Sequence, residues 1–152
     1  MKAKGALLSL LCLLLTLCSA CMTGMSFTYH VDTGDDVKVS LDTGDGIRLS
    51  PDQDASFSVK QDGQVLLSGK FVHFDAFFDY VLSIEGLEVF EITPEDDFPS
   101  FYFFEWYGEN GEEYTFFDQV EDSDVGVVLS AVGISAEEAE EAFRHLHFET
   151  VQ

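Results

Sequence analysis

Apolar side chains recur at every second position through the first half of this chain, and that period commits the region to strands. Val37, Val39 and Leu41 alternate with Lys38, Ser40 and Asp42; Ile47 and Leu49 alternate with Arg48 and Ser50; Phe57 and Val59 alternate with Ser56, Ser58 and Lys60. A period of two sends successive side chains to opposite faces, so each segment is predicted as a half-buried strand. Asp42-Thr43-Gly44-Asp45-Gly46 separates the first two and is read as a tight reversal, its glycines supplying positive φ. Asp62-Gly63 separates the third from the apolar run Val65 to Val72, and a D-G pair in that setting predicts a hairpin with a type I′ turn. Gly69 within the run is read as a bulge.

The period then changes. Phe74, Phe77, Phe78, Val81 and Leu82 fall at i, i+3, i+4, i+7 and i+8, with Asp75 and Asp79 on the other side, which predicts an amphipathic helix stopped near Gly86. Leu87 to Ile92 reads as a strand, and Thr93 to Ser100, with Pro94 and Pro99, as a loop. Phe101 to Tyr107 is aromatic on both faces and is paired with Glu113 to Val120 across a turn at Asn110-Gly111, so a strand here is predicted to be central and covered on both sides. Val125 to Leu129 fits a further buried strand. Ser135 and Glu138 form an S-x-x-E capping box, Ile134 and Ala139 a hydrophobic staple, and Ala139, Ala142, Phe143 and Leu146 the buried stripe of a second helix, with Glu140 and Arg144 paired at i+4. The tail from His147 to Val151 is too short to assign, and Phe148 is expected to dock. The predicted class is α+β, a twisted antiparallel sheet with two main helices.

The N-terminus sets the compartment. Lys2 and Lys4, an apolar run from Ala6 to Leu17, and the small residues Ser19 and Ala20 before Cys21 make an export signal. The run is about a dozen residues, short of the roughly 20 that span a bilayer, so it reads as an address and not an anchor. Leu17-Cys18-Ser19-Ala20-Cys21 resembles the lipobox of bacterial lipoproteins, with Cys18 where an aliphatic residue usually stands. The rival reading is an A-x-A-like cleavage with Cys18 and Ala20 at the recognised positions. Both leave Cys21 first. They differ in whether its sulfur carries a diacylglyceryl group, whose buried methylenes contribute about 0.8 kcal/mol each and whose two chains give stable anchoring. The expected layout is a signal peptide over 1–20, a lipidated Cys21 with a short tether over 21–29, and one α+β domain over 30–152. The protein is expected on the outer face of the cytoplasmic membrane, or secreted where Cys21 carries no lipid.

Cleavage after Ala20 leaves Cys21 as the lone cysteine, so no internal disulfide can form and the fold rests on its core. Fifteen Phe and five Tyr supply one, and favour a packed domain over a disordered one. The same cleavage leaves five basic residues against 29 acidic ones, a formal charge of −24. Such a surface repels phosphate backbones, which excludes nucleic acid, and it offers no polybasic face to a membrane.

Three segments carry a further likeness: Lys38-Val-Ser-Leu-Asp-Thr-Gly-Asp-Gly46, Phe57-Ser-Val-Lys-Gln-Asp-Gly63 and Asp122-Ser-Asp-Val-Gly-Val-Val-Leu129. They resemble a family of small lipoproteins from Gram-positive anaerobic bacteria to which no activity is attached. The order of elements is similar to the Mog1/PsbP α+β sandwich. The resemblance implies a fold and transfers no catalytic residue.

Candidate chemistry is sparse. Asp32-Thr-Gly-Asp35-Asp36 and Asp42-Thr-Gly-Asp45-Gly46 repeat at a ten-residue spacing and are expected at the same end of neighbouring strands. Asp32, Asp35, Asp36, Asp42 and Asp45 are therefore candidate ligands for calcium, which takes six to eight oxygens, although Gly-Asp clusters are also ordinary turn material. His30, His73, His145 and His147 are scattered, and no second mature cysteine exists for a thiolate zinc site. With 29 carboxylates no pair stands out as a glycosidase acid and base, and no G-x-S-x-G elbow occurs. Tyr102, Trp106 and Tyr107 form a candidate aromatic surface for sugar rings or a partner's apolar side chains. The chain is thus read as a non-catalytic envelope module with a protein or glycan partner. A calcium- or carbohydrate-binding domain is the alternative, and an envelope hydrolase comes third.

Overall fold

Asp62 and Gly63 turn the chain as a type I′ reversal requires, with φ of 50° and 84° at the two positions. The strands they join are β4 (Ser56–Gln61) and β5 (Gln64–His73). The computed structural model describes residues 24–42, 46–92, 101–108 and 111–151, so the expected leader, Cys21, Asp45, the expected loop over 93–100 and the expected turn residue Asn110 lie outside it. Before β4 come β1 (Met25–His30), β2 (Asp36–Leu41) and β3 (Ile47–Pro51). After β5 follow α1 (Phe74–Leu82), β6 (Phe90–Ile92), β7 (Phe101–Gly108), β8 (Gly111–Gln119), β9 (Val125–Val132), α2 (Ala136–Arg144) and β10 (Leu146–Val151). The class is α+β. A seven-stranded sheet runs β3-β4-β5-β9-β8-β7-β6 and a three-stranded sheet runs β1-β2-β10, with antiparallel pairing throughout.

One face of the larger sheet packs on the smaller sheet and on α2. Phe57, Val59, Leu67, Phe116, Val127 and Leu129 meet Val37, Val39 and Leu41 from β2 and Ala139, Ala142 and Phe143 from α2. Phe116 stacks on Phe143 with ring centroids 5.2 Å apart. The opposite face carries α1, whose Phe74 and Val81 close on Phe104, Phe117 and Val128. Phe116 and Phe117 are neighbours in sequence and enter different cores. Burial on both faces therefore belongs to β8 and β9, which meets the expectation that a strand of the aromatic hairpin is central and covered on both sides, and β7 lies one strand from the edge.

Three local expectations are corrected. The stretch over 21–29 is not all tether, because Met25–His30 is a strand whose Met25, Phe27 and Tyr29 alternate inward on β2. β2 and β3 are not a hairpin: β1 and β10 occupy both edges of β2, so β3 starts the other sheet. Gly69 is not a bulge. It lies opposite Phe57, whose ring fills the space a Cβ would need, and the irregularity falls at Leu66, since Lys60 faces Val65 while Val59 faces Leu67. Gly108 pairs with Gly111, and Asn110 of the expected turn lies outside the described residues.

Other local signals are borne out. Ser135 accepts from the Glu138 backbone N–H while the Glu138 carboxylate accepts from that of Ser135, and Arg144 reaches Glu140 at 2.6 Å. The unassigned tail becomes β10, and Phe148 packs 6.3 Å from Phe57. Leu82, counted in the apolar stripe of the first helix, is exposed at its end.

Asp118 on β8 is buried, and desolvation pushes its carboxyl up to about 7 although the Gln119 N–H donates to it at 2.8 Å. The folded chain thus holds this proton more tightly than the unfolded chain, where an aspartate titrates near 3.9. The stability it contributes is greatest below about pH 4 and is lost as pH rises towards 7, by an amount of the order of a few kcal/mol. Asp118→Asn is expected to raise the melting temperature at pH 8 by several degrees and to flatten its fall between pH 5 and 7.5. An unchanged slope in calorimetry across that range would contradict this.

Candidate functional site

Because side chains alternate along strands, every second residue of the larger sheet faces away from the main core. Registered pairs carry one line of such residues across the sheet: Ser50 to Ser58, Ser58 to Ser68, Ser68 to Ser130, and Ser130 to Thr115. Five hydroxyls thus stand side by side on β3, β4, β5, β9 and β8. The line continues to Phe104 on β7, where α1 begins to cover the sheet. With strands about 4.8 Å apart, the hydroxyl row spans roughly 19 Å. Ser68 is exposed, Ser50 and Ser130 are half-buried, and Ser58 and Thr115 lie at the floor. Ser58 donates to Asp52 Oδ2 and Lys60 Nζ donates to Ser50 Oγ at 3.5 Å. Ser68 and Ser130 make no side-chain hydrogen bond among the described residues, which leaves them available to a ligand.

Charge is distributed unevenly around this row. Arg48 and Lys60 are directly opposite each other on β3 and β4, and Lys70 stands opposite Ser56 on the same face of β5. Lys38 and Arg144 pair with Glu149 and Glu140 at 2.6 Å each. Arg48, Lys60 and Lys70 form no ion pair with a carboxylate among the described residues. At the other end of the face Trp106 is 47% exposed and lies opposite Glu113. Its indole is held edge-on to Phe104 at 6.5 Å.

A cleft of about 770 Å³ adjoins the face where β5 runs past the end of β4. Lys70, Phe71, His73, Phe77 and Tyr80 line it, and Asp54 and Ala55 form part of its rim. Both rim residues adopt positive φ, 57° and 50°, a conformation that costs Ala55 energy and fixes the course of the β3–β4 turn.

The residues singled out from sequence are dispersed. Asp32, Asp35 and Asp36 sit in or after the β1–β2 turn, and Asp42 follows the other end of β2, six residues and about 20 Å from Asp36. The expectation of one shared end fails because a single strand separates the two motifs. Asp36 lies 2.8 Å from His30, Asp42 2.8 Å from His147, and Asp35 accepts from Thr33 at 2.8 Å. Among the described residues no group of three or more His, Cys, Asp and Glu converges on a metal position. Tyr102 is packed beneath α1, 4.8 Å from Phe78 and 5.0 Å from Phe117, and burial raises its phenol above the ordinary value. The side chain of Tyr107 is outside the described set. Of the aromatic trio, Trp106 is the one displayed on the open face.

The hydroxyl row and the three bases were not identified as a site from sequence. Each was visible as the polar partner of an alternating strand, but their assembly depends on β9 and β8 inserting beside β5, which no local pattern specifies. Comparison with protein-family models, with curated proteins and with solved structures finds no match. The exposure of Trp106 has a direct optical check. Acrylamide is expected to quench the fluorescence of this lone tryptophan efficiently in the folded protein, and a blue-shifted emission resistant to quencher would place the indole inside.

Proposed function

We propose that this chain is an exported, non-catalytic envelope lipoprotein, anchored through Cys21, whose open sheet face binds a carbohydrate chain. The observation that carries the reading is the hydroxyl row of Ser50, Ser58, Ser68, Ser130 and Thr115 leading toward Trp106. Hydroxyls are both donors and acceptors, so a row of them can match the alternating donors and acceptors of a sugar polymer. An exposed indole joins a flat apolar surface for a pyranose ring to a polar N–H. The hydroxyls that bond at all bond to Lys60 and Asp52, and no imidazole among the described residues stands by to activate one as a nucleophile. That chemistry suits holding a polymer and not cleaving it.

The family reading belongs to the same proposal. Two helices on antiparallel sheets are compatible with a Mog1/PsbP-type sandwich and with the Gram-positive lipoprotein family that the three sequence segments resemble. With Cys21 lipidated and β1 beginning at Met25, three linking residues span about 10 Å at most, which sets the domain against the membrane surface.

Two measurements test the proposal. Mass spectrometry of the protein from a bacterial membrane fraction is expected to give an N-terminal Cys21 bearing a diacylglyceryl group, and a free cysteine or a retained leader would refute the anchor. Affinity electrophoresis through gels containing soluble polysaccharides is expected to retard the protein, with Trp106→Ala and the pair Ser68→Ala/Ser130→Ala each weakening retention about tenfold, the equivalent of roughly 1.4 kcal/mol. Wild-type mobility unchanged in every polysaccharide gel would remove the carbohydrate reading.

A further inference from the structure

We infer that the carbohydrate is an acidic polysaccharide, whose carboxylate, phosphate or sulfate groups are held by Arg48, Lys60 and Lys70. This rests on the carbohydrate reading above and adds the ligand's charge class to it. Arg48 and Lys60 face each other directly across β3 and β4, and like charges in that register are destabilising. The chain carries 29 carboxylates with which to relieve that repulsion, yet among the described residues none forms an ion pair with either side chain. Asp52, on the same stretch of β3–β4, accepts a hydrogen bond from Ser58. The two bases paired with acids, Lys38 and Arg144, both lie off this face. Edge protection against sheet pairing accounts for a lysine or arginine on β3 but not for Lys60 and Lys70, which sit on interior strands.

The arrangement matches a chain-like anion better than a single small one. Lys70 is four residues along and one strand over from Lys60, about 14 Å away, so the three bases cannot converge on one phosphate. They can meet successive charges on a polymer laid along the hydroxyl row, with Trp106 about 24 Å from the Arg48 strand stacking on a ring at the far end. The formal net charge of −22 does not cancel this attraction at close range. At physiological ionic strength the Debye length is about 8 Å, so contacts within the patch act while the distant carboxylates are screened.

The test uses the full mature protein in about 0.15 M salt, where the patch is separated from the global field. Binding is measured to heparin as a sulfated chain, polygalacturonate as a carboxylated chain, teichoic acid as a phosphate-bearing chain, and dextran as a neutral one. At least one acidic polymer is expected to bind about tenfold or more tightly than dextran. Arg48→Gln/Lys60→Gln is expected to abolish that preference, bringing acidic-chain binding down to the level of dextran, and to melt at the same or a higher temperature because the opposed charges are gone. Lys70→Gln, which removes no opposed pair, is expected to weaken acidic binding alone and serves should the double variant fold poorly. Equal binding of acidic and neutral chains, unaffected by these substitutions, would overturn the inference while leaving the carbohydrate reading intact. Absence of binding to all four would overturn both.

Discussion

The structure depends on two adjacent rings that point opposite ways. Phe116 enters the core shared with α2 and the smaller sheet, and Phe117 enters the core beneath α1, so β8 is sealed on both faces. β9 repeats the division with Val127 and Leu129 on one side and Val128 on the other. Both faces of the sheet are thereby stabilised at its centre by burial alone, each large side chain contributing roughly 1.5–3 kcal/mol. No cysteine lies among the described residues, so no disulfide fixes these layers.

An exposed face follows from that construction. The side of the larger sheet that meets α2 and the three-stranded sheet is roofed. The other side has α1, and nine helical residues extend about 13.5 Å, against roughly 29 Å across seven strands. The uncovered strands β3, β4 and β5 carry Arg48, Ser50, Ser58, Lys60, Ser68 and Lys70 there, and such residues stay soluble without a roof. Val65 and Val132, 41% and 42% exposed, are apolar and border the same region, as does Trp106. The tolerance for an open face and the row of hydroxyls displayed on it have the same cause in side-chain alternation.

Local structure was legible in the residues wherever one segment contained its own instructions. The Asp62-Gly63 turn, the stripe from Phe74 to Val81 and the Ser135–Glu138 capping box are each decided within about ten residues, and each occurs as read. What was not legible was partnership. Nothing in Asp42 to Gly46 distinguishes a hairpin reversal from a crossing between sheets, because that outcome turns on β10, over a hundred residues away, claiming the free edge of β2. The same ignorance of strand order put the two aspartate motifs at one end of a sheet and hid the hydroxyl row. Ser50 on β3 and Thr115 on β8 fall on one line only after β9 inserts between β5 and β8.

Positive charge shows how scarcity can be read where abundance cannot. Any acidic cluster in a chain with 29 carboxylates is expected by chance, and Asp35, Asp36 and Asp42 are each met by a single side chain, Thr33, His30 and His147. Five lysines and arginines among the described residues are few enough that their positions carry information. Pairing each with a carboxylate would be the ordinary outcome at this composition, and Lys38 and Arg144 follow it. Arg48, Lys60 and Lys70 share a single face, two of them in direct opposition, and the repulsion is tolerated there beside a row of hydroxyls with hydrogen-bonding capacity to spare. Repulsion retained amid so many available counter-charges is physically accounted for by an anion that arrives from outside the chain.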